Sequence, residues 1–229
     1  MKTVRTRAIV LRRTNYGEAD RILDLLTPDG RMSVIARGVR KEKSKLAGGI
    51  ELFAVCDVVI GQGKGELGLL TSARLVYFYR HILEDYDRMQ FAYETLAQVA
   101  KASASLDESE WYEISVEVLA ALDVVTVPLR LIQTWFYTRV AQVLGDELNA
   151  VRDYAGKRLE SSKKYRYDSQ EKGFYEDENG PITAAHIKIL RLVAAKPLSV
   201  IVQVGGMNEY LAECLDIARR HAALQNILK

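Results

Sequence analysis

Over its first 80 residues the chain alternates, and no stretch there repeats at a helical period. VRTRAIVLRR (4–13) sets Thr6, Ala8 and Val10 on one face and Arg7, Ile9 and Leu11 on the other, the period-two signature of a strand. RILDLLT (21–27) and RMSVIARG (31–38) are two more such runs, with Pro28-Asp29-Gly30 between them as a hairpin turn. LFAVCDVVIG (52–61) and ELGLLTSARLVYFY (66–79) form another pair, joined by the glycine-rich turn at 61–65. Five strands in so short a span must close on themselves or be covered, because open edges invite pairing with other chains. A closed five-stranded barrel of the OB type is the economical solution, and an SH3-like barrel the structural alternative.

One connection inside this region differs from the rest. Residues 37–50, RGVRKEKSKLAGGI, carry Arg37, Arg40, Lys41, Lys43 and Lys45 against the single carboxylate Glu42. The stretch is too polar for a core strand, and Gly48-Gly49 marks a flexible exit from it. Such a loop offers mobile cations to phosphates without reading base edges; the competing reading is a solvated loop that binds nothing. Residues 1–80 hold 15 Lys and Arg against 8 Asp and Glu, and the rest of the chain 17 against 22. That asymmetry points to nucleic-acid contact by the basic part. Arg12, Arg13, Arg21 and Arg31 are the second rank of candidate phosphate contacts. Aromatic groups able to stack on bases are sparse, with Tyr16 and Phe53 the only candidates before residue 77, and Phe53 reads as core.

After Tyr79 the period changes. Ile82, Tyr86, Met89, Tyr93, Leu96 and Ala100 predict one helical face. Ser105 to Glu108 reads as a capping box, followed by a helix with Trp111, Ile114, Val118, Leu122 and Val125 inward. Pro128 opens a third, with Leu131, Ile132, Trp135, Val140 and Leu144 inward and Gly145 at its end. Residues 149–181 break the pattern and suggest a small β-hairpin built on Tyr165, Tyr167, Phe174 and Tyr175. Helices resume over 182–196, with Thr183 as N-cap, and from Asn208 to about Ala223, with Leu211, Leu215, Ala218 and Ala222 on one side. The expected fold class is thus α+β: an N-terminal barrel over 1–80, then a helical bundle domain over 81–229 that carries the insert 149–181.

Enzyme signatures are missing. There is no GxxxxGK[ST], no GxGxxG after a strand, no HExxH and no GxSxG. His81, His186 and His221 are scattered through the helical part and read as surface or interhelix side chains. Cys56 and Cys214 read as buried free thiols. Glu18, Asp20 and Asp24 could be imagined as a metal-binding carboxylate set of a nuclease, but no distant partner motif accompanies them. No apolar run reaches the length a membrane-spanning helix needs, and the opening residues lack a signal-peptide core, which predicts a cytoplasmic protein.

The order of residues carries more than their composition. Tyr16-Gly-Glu-Ala-Asp-Arg-Ile22 resembles the first fingerprint of the RecO family of bacterial DNA repair and recombination mediators. The next passage resembles that family's strand, basic loop and strand: Thr27-Pro-Asp-Gly30, Ser33, Ala36-Arg-Gly-Val-Arg-Lys41, Ser44-Lys-Leu-Ala-Gly-Gly49 and Glu51-Leu-Phe53. Weaker similarity covers Leu144-Gly145, Lys172-Gly-Phe174 and Ala195-Lys-Pro-Leu198. The resemblance implies an OB barrel, a helical domain and a non-enzymatic role. Such proteins bind single- and double-stranded DNA and anneal complementary strands. They contact the acidic C-terminal tail of single-strand-binding protein and, with RecR, help load RecA in the RecF-type pathway. It also implies a cytoplasmic, nucleoid-associated protein. Many members fold the insert around zinc with two Cys-x-x-Cys pairs. The corresponding places here look like Arg152 and Ala155, then Glu176 and Asn179, so a degenerate zinc ribbon without metal is expected, and no other cofactor. An OB-fold RNA-binding or translation-associated protein is the alternative.

Overall fold

The computed structural model describes residues 2–63, 65, 67–106 and 109–223. They form two compact units, 1–123 and 124–229. The strand-to-helix change near residue 80 therefore falls inside the first unit.

The first unit is built on five strands: β1 (Lys2–Tyr16), β2 (Asp20–Thr27), β3 (Gly30–Ala36), β4 (Ala54–Gln62) and β5 (Gly68–Phe78). They close into a barrel in the order β1-β2-β3-β5-β4, with β4 returning to β1. All pairs are antiparallel except the closing one, where Val34 and Ile35 of β3 run parallel to Gly68 and Leu69 of β5. This is the OB-type architecture expected from the alternation. The hairpin at Pro28-Asp29 forms as expected, with Gly30 at φ 108° and the Thr27 hydroxyl accepting the Asp29 N–H at 3.2 Å.

Alternation sorts the strand residues as the barrel requires. Ala8, Val10, Leu23, Leu25, Val34, Ala36, Cys56, Val58 and Ile60 fill the interior. On β1, however, Ile9 and Leu11 are buried as well. The outer side of this barrel is partly covered by α1 (Tyr86–Ala102) and α2 (Glu110–Leu122), which pack on β1, and α2 also on β2. Burial on both faces explains the unbroken apolar run Ala8 to Leu11.

Three helix expectations need correction. Ile82 lies in a short 3-10 turn (Arg80–Glu84) and not in α1. The buried face of α1 is Phe91, Ala92, Thr95, Leu96, Val99 and Ala102, whereas Tyr86 and Tyr93 are exposed. Apolar spacing misled here because Arg88, a polar residue by pattern, is buried and donates to the Leu122 carbonyl at 3.0 Å. Val125 is not on the inward face of α2, which ends at Leu122, and is exposed. Residues 107 and 108 of the expected capping box lie outside the described residues.

The second unit contains α3 (Leu129–Val143), α4 (Ala184–Ala195), the short α5 (Leu198–Ile201) and α6 (Leu211–Ala223), with α3 packed on α6 and α4. Leu131, Ile132, Trp135 and Val140 are buried as the spacing predicted. Thr183 caps α4 in a reciprocal box in which His186 stands at the position usual for Glu or Gln. α6 starts later than expected, after a 3-10 turn over Asn208–Tyr210. The insert does form a hairpin, β6 (Tyr165–Asp168) against β7 (Gly173–Glu176). His186 and His221 are buried: Tyr167 Oη lies 2.7 Å from His221 Nδ1, and His221 Nε2 lies 2.8 Å from the Asp146 carbonyl oxygen. Both cysteines are buried free thiols, and burial pushes Cys56 up to about 11 and Cys214 up to about 12.

Candidate nucleic-acid interface

The basic connection between β3 and β4 is anchored at several points. At its start, the Gly38 N–H donates to the Asp20 carboxylate at 2.7 Å and the Arg40 N–H to the Ala19 carbonyl at 2.9 Å. The Arg40 guanidinium reaches the Gly17 carbonyl at 3.2 Å. The β1–β2 turn is thus the seat of the loop, so residues of the first fingerprint, Gly17, Ala19 and Asp20, meet those of the second. Val39 turns inward and is buried in the barrel core. In the middle, the Ser44 hydroxyl accepts the Leu46 N–H at 3.3 Å. At its end a 3-10 turn (Ala47–Gly49) lies so close to β5 that a Cβ on Gly49 would stand 2.4 Å from the Ala73 backbone. Ile50 is buried, with Leu46 and Leu52 packed against the same core.

The apolar residues of the segment therefore plug the barrel and its cations are left outside. Arg37, Arg40, Lys41, Lys43 and Lys45 are all exposed. Among the described residues no ion pair involves any of them. Each ammonium or guanidinium keeps donors for an anion.

The second-rank arginines fare differently. Arg12 is exposed and forms no ion pair among the described residues. Arg13 is half-buried and pairs with Glu51 at 3.0 Å, tying β1 to the end of the basic segment. Arg21 donates to the Asn15 side-chain oxygen at 3.1 Å. Arg31 pairs with Asp24 at 3.1 Å and donates to the Ala100 carbonyl at 3.2 Å. Tyr16 is 56% exposed at the end of β1, next to the turn that seats the loop, and so presents a free ring. Phe53 is buried, packed edge-on against Tyr93 with ring centroids 4.8 Å apart.

The carboxylates imagined as a metal set have structural partners. Asp20 holds the Gly38 N–H, and Asp24 holds Arg31 and the Ser33 hydroxyl. Among the described residues no three His, Cys, Asp or Glu side chains gather as metal ligands. Sequence reasoning missed the role of Asp20 as an anchor, because the backbone it holds is 18 positions away.

The insert does not suit zinc. Arg152, Ala155, Glu176 and Asn179 supply no thiolate, and each turn is closed by an aspartate instead. Asp153 accepts the Lys157 N–H at 2.8 Å, while the Gly156 N–H donates to the Asp153 carbonyl at 3.0 Å. Asp177 accepts the Asn179 N–H at 2.9 Å and pairs with Arg166 at 2.8 Å. The Arg166 hydrogen bond, then that N–H, hold the Asp177 carboxyl below its ordinary range. Lys163 bridges Glu176 and Glu160, and Lys172 pairs with Asp146.

Among the described residues no helix is long and apolar enough to cross a membrane. Residues 1–79 match the family described as recombination protein O, N-terminal. The chain is 40% identical over 92 residues to a DNA repair protein RecO of Roseiflexus sp. (strain RS-1), covering 40% of this chain and 32% of that protein. It is 46% identical over 79 residues to one from Dehalococcoides mccartyi, covering 34% and 31%. Identity to one from Rubrobacter xylanophilus is 32% over 146 residues, covering 63% and 58%. The chain thus matches between about a third and just over half the length of these relatives.

Proposed function

We propose that the chain belongs to the RecO family, as the match of residues 1–79 supports, and that it is a DNA repair and recombination mediator, without catalytic chemistry of its own. It binds single- and double-stranded DNA and promotes the annealing of complementary strands. The observation that carries the reading is the set Arg37, Arg40, Lys41, Lys43 and Lys45: five exposed cations on a segment pinned at both ends and free of ion pairs among the described residues.

The physics follows from charge. Two strands approaching each other repel through their phosphates, and cations on an anchored loop offset that repulsion while releasing condensed counterions. Contacts to phosphates carry no sequence information, so binding is nearly sequence-blind and salt-sensitive. A pinned loop loses less conformational freedom on binding than a floppy one. Tyr16, exposed beside the loop's seat, adds a ring on which a base can stack.

Protein partners belong to the same reading. The acidic tail of single-strand-binding protein is assigned to the helical residues. There a groove in the second unit has Tyr167, Ile182 and Ile217 in its lining to take an apolar end, while Glu213 and Asp216 also line it and its Arg166 and Arg220 pair with Asp177 and Asp216. With RecR, the protein then assists RecA loading, in the cytoplasm and on the nucleoid. DNA contact is assigned to the barrel over 1–80 and partner contact to the helical domain over 81–229. Because α1 and α2 pack with the barrel in one compact unit, the division is tested by cutting after Asp123.

The test is strand annealing by the full-length protein, on bare strands and on strands coated with single-strand-binding protein. Acceleration in both cases is expected. Binding to matched RNA but not to DNA would favour the RNA-binding alternative, and magnesium-dependent cleavage would favour a nuclease.

A further inference from the structure

A second basic surface lies on the outside of the barrel. Arg5 and Arg7, two positions apart on β1, share one face of the strand. Arg7 is in register with Asp57 of β4, and Asp57 with Arg74 of β5, which gives a cross-strand Arg-Asp-Arg row. Arg74 meets Asp57 at 2.7 Å and Arg7 meets it at 3.8 Å. The next row is Arg5, Val59 and Ser72. The three arginines line one shallow groove, and among the described residues Asp57 is the only carboxylate in its lining.

Two features separate this face from a simple stabilising ion pair. Arg5 is exposed and forms no ion pair among the described residues, so the groove carries a surplus of guanidinium. The side chains of Arg7 and Arg74 are 65% and 79% exposed although Asp57 holds both. One carboxylate uses few of the five N–H donors on each guanidinium, and the rest stay open to an anion. Guanidinium forks suit the non-bridging oxygens of a phosphodiester.

The groove is also distinct from the seat of the basic loop. Arg40 docks on the β1–β2 turn at Gly17, ten residues beyond Arg7 along β1, a path of about 33 Å for a strand.

We propose that the Arg5–Arg7–Arg74 groove is a second phosphodiester-binding track, holding one strand while the basic loop holds the other. The inference rests on the annealing reading and adds to it that the two strands are bound on separate faces of one barrel. Thr6, Val58, Val59 and Ser72, which complete the lining, offer no ring for a base to stack on, so the track takes backbone and leaves bases free to pair.

The test uses the full-length protein with donor- and acceptor-labelled oligothymidylate. These strands cannot pair, so energy transfer reports two strands held together. Arg5→Gln with Arg74→Gln should weaken energy transfer and slow annealing. First-strand affinity should stay within about twofold, because contacts that strand does not use release none of its counterions. The salt slope of second-strand capture should flatten by about 1.4, at roughly 0.7 per lost contact. Asp57→Asn should act oppositely, raising energy transfer by removing the groove's negative charge. Unchanged energy transfer in the double variant would overturn the second track, as would a loss in Asp57→Asn with the fold intact by circular dichroism. Wild-type protein that binds a strand and anneals, yet is insensitive to these changes, would leave the annealing reading standing. Wild-type protein that binds no DNA would overturn both.

Discussion

Two excursions of this chain are both rich in cations and have different fates, and only the insert carries as many carboxylates as cations. The segment 37–50 and the insert 149–181 are both polar, lysine- and arginine-rich, and pinned by glycines in tight places. In the insert, Lys163, Arg166 and Lys172 face Glu160, Glu176, Asp177 and Asp146, and Arg152 closes its own turn on the Gly156 carbonyl. In the loop, Arg37, Lys41, Lys43 and Lys45 face no carboxylate among the described residues, and Arg40 meets only a carbonyl. The difference teaches that cation content does not identify a binding surface. What identifies it is whether the fold has already supplied the anions.

The largest expected effects come from the glycines that pin each excursion. A Cβ on Gly49 would stand 2.4 Å from the Ala73 backbone, and one on Gly180 would stand 2.3 Å from the Tyr165 carbonyl oxygen. Gly49→Ala and Gly180→Ala should each destabilise by about 1–3 kcal/mol, the usual cost of overpacking. Thermal melting measures this. Their effects on DNA should diverge: Gly49→Ala also weakens binding, because it displaces the loop, while Gly180→Ala leaves affinity unchanged. Equal effects on affinity would erase the contrast between the two excursions.

A smaller effect is expected from acid. The Asp177 carboxyl is held below its ordinary range by Arg166 and the Asn179 N–H. A carboxylate whose pKa is lower folded than unfolded stabilises above the unfolded value, near 3.9, and that contribution disappears as pH falls through the lower folded value. The melting temperature of the wild type should therefore exceed that of Asp177→Asn at pH 6, and the gap should close on acidification below about pH 4. A gap that widens in acid would show that Asp177 does not hold its turn as an anion. The smallest effect concerns metal. With aspartates closing both turns, chelators should leave the melting temperature unmoved, and elemental analysis should find no stoichiometric zinc. One zinc per chain would contradict the account of the insert.

Much of the barrel was legible because alternation is local: each of the five strands was visible as a run of its own. Closure was expected because open edges must be covered, but the pairing that makes it was not legible, since the parallel contact of Val34 and Ile35 with Gly68 and Leu69 joins residues more than 30 positions apart. The face of α1 was misread for a related reason. Tyr86 and Tyr93 count as apolar in a periodicity but are exposed, while Arg88 counts as polar yet is buried because a distant carbonyl satisfies it. Among the candidate contacts, the five loop cations could be named from residue type alone. Arg12 and Arg31 could not be told apart that way: the strand register sets Arg12 opposite Asp24, and only the side-chain geometry shows that Asp24 pairs with Arg31 instead. The groove of Arg5, Arg7 and Arg74 escaped notice altogether, since it is assembled from three strands.

The central claim is that the loop cations meet phosphates and the insert cations do not. The direct measurement compares the salt dependence of single-strand binding for two variants with equal charge loss. One replaces Arg37, Lys41 and Lys43 by alanine, and the other replaces Lys163, Arg166 and Lys172, which carboxylates of the fold already hold. The slope of log affinity against log salt should flatten by roughly 2.1 in the loop variant, at about 0.7 per phosphate contact, and stay at the wild-type value in the insert variant. Equal flattening in both would mean that DNA senses only net charge, and a wild-type slope in the loop variant would mean that the loop is merely solvated.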